Sequence, residues 1–261
     1  MNSVRELLDG LSLPAPAAGA APDYALPGAH LLSAELPQGH LHVWSGPPGA
    51  GKTAFLLGLL REAARRGHGA LLATYDLSAP ALALRMLAMD SGVPLDALDG
   101  GQLSPTQETA VARSRARLAT LPLWLIEARG LSVASLEDRI ARHPVRFDTL
   151  GVDFVEAVVR APEQPVAATF KALSGLARRG WLAVVAVART SPVEHLAPEQ
   201  ADAADRVGWI ERAADADEVR EASLLANRHG GLHRCRMRLD PGNVRFEAEA
   251  GPGAEGPGAR A

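Results

Sequence analysis

The sequence predicts an α/β domain built on a mostly parallel sheet. Strand-like apolar stretches alternate with helical patterns along most of the chain, a glycine-rich turn joins the first such pair, and short strands close the sequence. Alternation of this kind makes each helix a crossover between parallel strands and covers both faces of the sheet. The chain has 261 residues, enough for one large core.

The elements follow in order. Ser3 to Leu11 is a short amphipathic helix with Val4, Leu7, Leu8 and Leu11 on one side. The Pro/Ala/Gly stretch from Pro14 to Pro22 is read as a linker. Leu41–Ser45 is a strand, and Ala54–Arg66 a helix with Phe55, Leu56, Leu59 and Leu60 in its apolar stripe. Ala70–Leu77 is a strand and Ala79–Asp90 a helix. Thr106–Ala119 is an Arg-rich helix, Leu123–Ala128 a strand and Val133–Arg142 a helix. Leu150–Val155 is a buried strand, Val166–Arg179 a helix and Leu182–Ala188 the most apolar strand. After a polar loop, Glu218–Asn227, His233–Leu239 and Val244–Ala248 form an antiparallel meander with a turn at Asp240-Pro241-Gly242-Asn243. The predicted division is 1–25 (helix and linker), 26–249 (the α/β domain) and 250–261, a disordered Gly/Pro tail.

Chemistry concentrates at Gly46-Pro47-Pro48-Gly49-Ala50-Gly51-Lys52-Thr53, a complete P-loop between a strand and a helix. In this motif backbone N–H groups wrap the phosphates of ATP, and Gly49 and Gly51 let the backbone approach. Lys52 reaches the β/γ oxygens and the Thr53 hydroxyl ligates Mg²⁺. Asp153 is the single acid inside an otherwise apolar strand, a costly placement unless it meets a cation or strong donors, so it is assigned to the metal with Thr53.

Composition narrows the partners. The formal net charge is −3 and the pI about 6.2, without the basic excess of a chain that grips nucleic acid. Cys235 is the only cysteine, and no long apolar run or export signal appears, so a reducing cytoplasm without membrane attachment is expected. His229, His233 and Cys235 lie close in sequence, but Gly230-Gly231 splits their spacing and argues against a metal site. Arg113, Arg115 and Arg117 alternate along a helix and are read as solvated surface, as is Glu156 in the loop after Asp153.

Further blocks carry a resemblance. They are Thr74-Tyr75-Asp76-Leu77-Ser78-Ala79, Leu84-Arg85-Met86-Leu87-Ala88, Phe170-Lys171-Ala172-Leu173, Ile210 to Asp217 and Asn227-Arg228-His229-Gly230. Together with the P-loop and the Asp153 strand they resemble the RecA-like motor of DnaB-type replicative helicases, in order, from about Leu26 to Glu247. The resemblance implies a RecA-like P-loop ATPase fold, a homo-oligomer (a hexameric ring in the family) with Mg-ATP between subunits, and single-stranded DNA in a central channel. It places Lys52, Asp76 and Arg228 as catalytic residues: Asp76 stands where the family has a Glu that orients water, and Arg228 where an arginine finger reaches the adjacent subunit's site. The short N-terminal helix stands where the family has a linker helix that docks on a neighbour.

Departures accompany it. Asp76 is one methylene shorter than Glu, Ala188 (followed by Arg189) stands where the family has a Gln sensor, and Ala226 stands where it has a Lys. The two loops expected to face DNA, from Glu156 to Pro165 and from Arg189 to Asp205, have no aromatic residue, and the second is net acidic. A catalytically weakened, ATP-gated scaffold is therefore the alternative to a helicase or recombination ATPase.

Overall fold

Leu41–Ser45 (β2) runs through the interior of a ten-stranded sheet, with every residue buried. The computed structural model describes residues 1–13, 36–158, 165–189 and 202–249. The expected linker, the C-terminal tail, Arg160 and most of both expected DNA-facing loops lie outside the described residues.

The parallel part comprises β2, β3 (Ala70–Thr74), β4 (Leu123–Glu127), β5 (Thr149–Asp153), β6 (Ala183–Val187) and β7 (Arg206–Arg212). They pair in the order β4-β3-β5-β6-β2-β7. Antiparallel strands β8 (Val219–Asn227), β9 (Arg234–Asp240) and β10 (Arg245–Ala248) extend one side, and a two-residue strand, β1 (Asn2–Ser3), pairs with β4 on the other. The helices are α1 (Val4–Asp9), α2 (Lys52–Arg65), α3 (Ala79–Ser91), α4 (Leu95–Gly100), α5 (Pro105–Leu118), α6 (Val133–Ala141) and α7 (Val166–Gly180). The expected α/β architecture, mostly parallel with a terminal meander, is the one observed.

Successive strand residues face opposite sides, so each strand feeds two cores. On one face Trp44, Leu72, Leu125, Val185 and Val187 pack with α2, α3 and α5. On the other, Val43, Leu71, Val152, Val184 and Ala186 pack with Leu136 of α6 and Phe170 and Leu173 of α7. Ser side chains start four of the helices: Ser3, Ser78, Ser104 and Ser132 each accept the N–H of the third following residue.

Three differences from expectation have physical causes. The segment before the meander contains a strand, β7, rather than only polar loop; Arg206, Glu211 and Arg212 at its ends mask a buried stretch from Val207 to Ile210. β3 ends at Thr74, whose hydroxyl accepts the Leu77 N–H and donates to the Leu77 carbonyl, turning the chain before Asp76. Two of the three arginines of α5, Arg115 and Arg117, are braces and not solvated surface. Arg115 holds Asp9 (2.9 Å) and the Leu13 carbonyl, while Arg117 (2.5 Å) and the buried Arg61 both pair with Asp90. Through Arg115 and the buried Val4, Leu7 and Leu8, α1 caps its own domain.

Candidate nucleotide site

The P-loop turns from the end of β2 into α2 over glycines that the packing requires. A Cβ on Gly46 would fall 1.9 Å from the Ile210 carbonyl oxygen, and one on Gly51 (φ +89°) within 3 Å of Leu239 and Phe246 of the meander. Gly51 is the N-cap of α2 and offers no side chain to its first N–H groups, so these face the loop with the positive end of the helix dipole behind them.

Lys52 is buried and folds back, donating to the carbonyls of Gly46 (2.6 Å) and Pro47 (2.9 Å). Burial lowers its pKa, with Glu156 and Asp153 opposing the shift. Thr53 donates to the Asp153 carboxylate at 3.1 Å from Oδ2. Asp153 is fully buried at the end of β5. Burial pushes its pKa up to about 6, against the Thr53 hydrogen bond, with Asp76 reinforcing the rise and Arg189 and Lys52 opposing it. A buried carboxylate and a hydroxyl in contact form an all-oxygen donor pair of the kind a hard divalent cation takes.

A pocket of about 480 Å³ opens beside this loop. Gly49, Lys52, Thr53, Asp76 and Arg189 line its polar side, and Leu239, Pro241 and Val244 its apolar side. Its Asp76 is exposed and held by Arg189 at 2.7 Å. Arg189 also lies 4.2 Å above the Phe154 ring, and its backbone N–H donates to Glu156 Oε1 at 2.7 Å. Glu156 is therefore half-buried at the site instead of solvated. This Arg189–Asp76–Glu156 linkage is what sequence reasoning missed. Its signal was an Arg directly after the most apolar strand, parallel and adjacent to the Asp153 strand.

Arg228 is placed elsewhere. It follows β8 at the amino end of β2, where its N–H donates to the Asp205 carbonyl (3.0 Å) and its guanidinium to Asp202 O. The five residues of β2 separate it from its own P-loop, about 16 Å at the strand rise and beyond the reach of an arginine side chain. Pro47 and Pro48 are exposed on the loop's outer surface, while Ala50 is buried.

The model of the DnaB-like helicase C-terminal domain matches residues 32–219. The chain belongs to this family. The replicative DNA helicase DnaB of Synechocystis sp. is 24% identical over 168 residues, a match covering 61% of this chain and 19% of that protein. The chain thus spans about a fifth of that relative's length. Among solved structures, a DnaB-like replicative helicase described with its primase interactions has a TM-score of 0.73 at 13% identity, covering 82% of this chain and 58% of that one. A solved ATPase domain gives 0.74 at 11% identity, covering 82% and 86%, and the RadB recombinase 0.55 at 16%, covering 85% and 96%. At these identities the structural likeness establishes the RecA-like fold. Family and fold are those of a nucleotide-binding P-loop ATPase. No described helix is long and apolar enough to cross a membrane.

Proposed function

We propose that this DnaB-like domain binds Mg-ATP and hydrolyses it between subunits of a homo-oligomer. The observation that carries the reading is the contact between Thr53 and the buried Asp153 beside Lys52 and the uncapped start of α2. Thr53 and Asp153 would hold the cation, which when bound neutralises charge on the β- and γ-phosphates. Lys52 exchanges its loop carbonyls for phosphate oxygens, and the N–H groups of residues 49–53 wrap them. Leu239, Pro241 and Val244 would offer the base an apolar wall.

Asp76 orients the attacking water in this reading. Its ion pair with Arg189 must loosen for that role, and a γ-phosphate is the competitor for the guanidinium. Arg228 is a finger for the neighbouring subunit, because the length of β2 keeps it from its own site. Hydrolysis then requires assembly, since the charge developing on the transferred group is otherwise uncompensated.

The test measures Mg-ATP turnover and oligomer size together, with and without single-stranded DNA. Turnover that rises with assembly supports the reading. A monomer that hydrolyses ATP at full rate removes the trans role of Arg228. A second reading, an ATP-gated scaffold with little turnover, is favoured by one observation: Asp76 is engaged by Arg189. Tight ATP binding with nucleotide-dependent assembly and no turnover selects it. The chain's charge and its net acidic second loop argue for a DNA-independent rate.

A further inference from the structure

At the end of the sheet away from the P-loop, three segments distant in sequence meet. They are the residue before β2 (His40), the residue before β7 (Asp205) and the turn after β8 (His229). One ligand-type atom from each lies within 4.8 Å of the other two. The imidazoles of His40 and His229 stack with centroids 4.3 Å apart, and His229 Nε2 is 3.4 Å from Asp205 Oδ1. His40 Nδ1 is buried with no hydrogen-bond partner.

We infer that His40, Asp205 and His229 form a binding site for a divalent transition ion of the zinc type. Two imidazole nitrogens and one carboxylate oxygen are a ligand set such ions take, with water completing a four-coordinate shell. The support is already built around the carboxylate. Asp205 is buried, and its Oδ2 accepts the Leu41 N–H at 2.9 Å, which orients the carboxylate and leaves Oδ1 toward the histidines. Its backbone is fixed from both sides: Asp205 N–H donates to Leu41 O (2.8 Å) and Arg228 N–H to Asp205 O (3.0 Å). A His–Asp pair alone would explain His229 and leave the His40 nitrogen unaccounted for.

With metal–ligand bonds of about 2.1 Å, a tetrahedral shell spaces its ligand atoms about 3.4 Å apart; His229 Nε2 and Asp205 Oδ1 already stand at that spacing, and rotation of the His40 side chain closes the set. Arg206 and Arg178 add positive charge nearby, which opposes the cation and weakens the site. The ion would tie together both sides of the turn that carries Arg228. That consequence rests on the proposed trans role; the site itself does not.

The experiment uses the full chain without a histidine tag, stripped with chelator and titrated with Zn²⁺ by calorimetry and with Co²⁺ by visible absorption. One equivalent is expected, with ligand-field bands of a low-coordinate Co²⁺ site and a raised Tm. His229→Gln, an exposed change, and His40→Gln each weaken binding by at least about 10–100-fold, the loss that follows removal of a group one shell further out. His233→Gln, Cys235→Ser and Lys52→Ala leave it unchanged. Absence of binding, or binding that survives both His229→Gln and His40→Gln, overturns the site. Because Lys52→Ala removes nucleotide binding and not the ion, failure of the ATPase reading is distinguished from failure of this one.

Discussion

The two ends of β2 are built in opposite ways. At its carboxyl end, a run of consecutive residues supplies the cradle, and the ends of neighbouring strands add Asp76, Asp153 and Arg189 around it. At its amino end, His40, Asp205, Arg228 and His229 are brought together only by the pairing of β2 with β7 and of β7 with β8. The first end takes its geometry from local chain chemistry and the second from topology. One gathers its polar groups around a single loop, whereas the other holds its arginine on the Asp202 and Asp205 carbonyls, a strand's length from that loop.

Lys52→Ala should have the broadest effect, since turnover is lost together with ATP binding, and it is confined to the carboxyl end. ATP affinity measured by calorimetry falls at least about a hundredfold, as expected when a buried charge-assisted phosphate contact is lost. Circular dichroism should stay unchanged. Comparable ATP affinity in this variant would break the assignment of that end.

Arg228→Ala tests the amino end. Turnover falls on the order of 10³-fold with ATP affinity intact, the usual effect of a missing arginine finger. Mixing Arg228→Ala with Lys52→Ala chains should restore part of the activity, since a mixed interface contains one intact site and one intact finger. No recovery in the mixture would place both groups in the same active site and remove the contrast.

Asp76→Glu sharpens the description of the carboxyl end. The longer carboxylate gains about 1.5 Å of reach, and turnover should rise about tenfold, within the penalty that such a misplacement carries. A fall would show that the backbone turn at Thr74 already positions the shorter side chain.

The last effect leaves both ends intact and concerns stability. His42, on β2, is almost fully buried, and burial lowers its pKa to about 3 from an ordinary 6.5. The unfolded chain therefore takes up this proton first. Stability is whole above about pH 6.5 and declines as pH falls toward 3, at up to about tenfold per pH unit in the folding equilibrium. Urea unfolding across that range should show the slope, and His42→Leu should flatten it. Equal slopes in both proteins would mean that other groups dominate acid unfolding.

Legibility in the sequence follows the same division. The P-loop, the alternation of strands and helices and the lone acid in the β5 strand are readable because each depends on near neighbours or on burial period. β7 was hidden because its charged ends outweigh four buried residues. The Arg189–Asp76 pair joins residues far apart, and the His40–Asp205–His229 group was obscured by His233 and Cys235, nearer to His229 in sequence but not its partners in space. Glu156 looked like an ordinary loop acid until the Arg189 N–H was found to hold it.

Asp90 serves two guanidiniums from two other helices, Arg61 of α2 and Arg117 of α5. Losing one member of such a buried set strands charge at a cost of about 3–5 kcal/mol, whereas replacing all members with apolar residues is close to neutral. The trio therefore behaves as a single heritable character. Relatives should keep all three residues or none, and a chain carrying only part of the set should be rare.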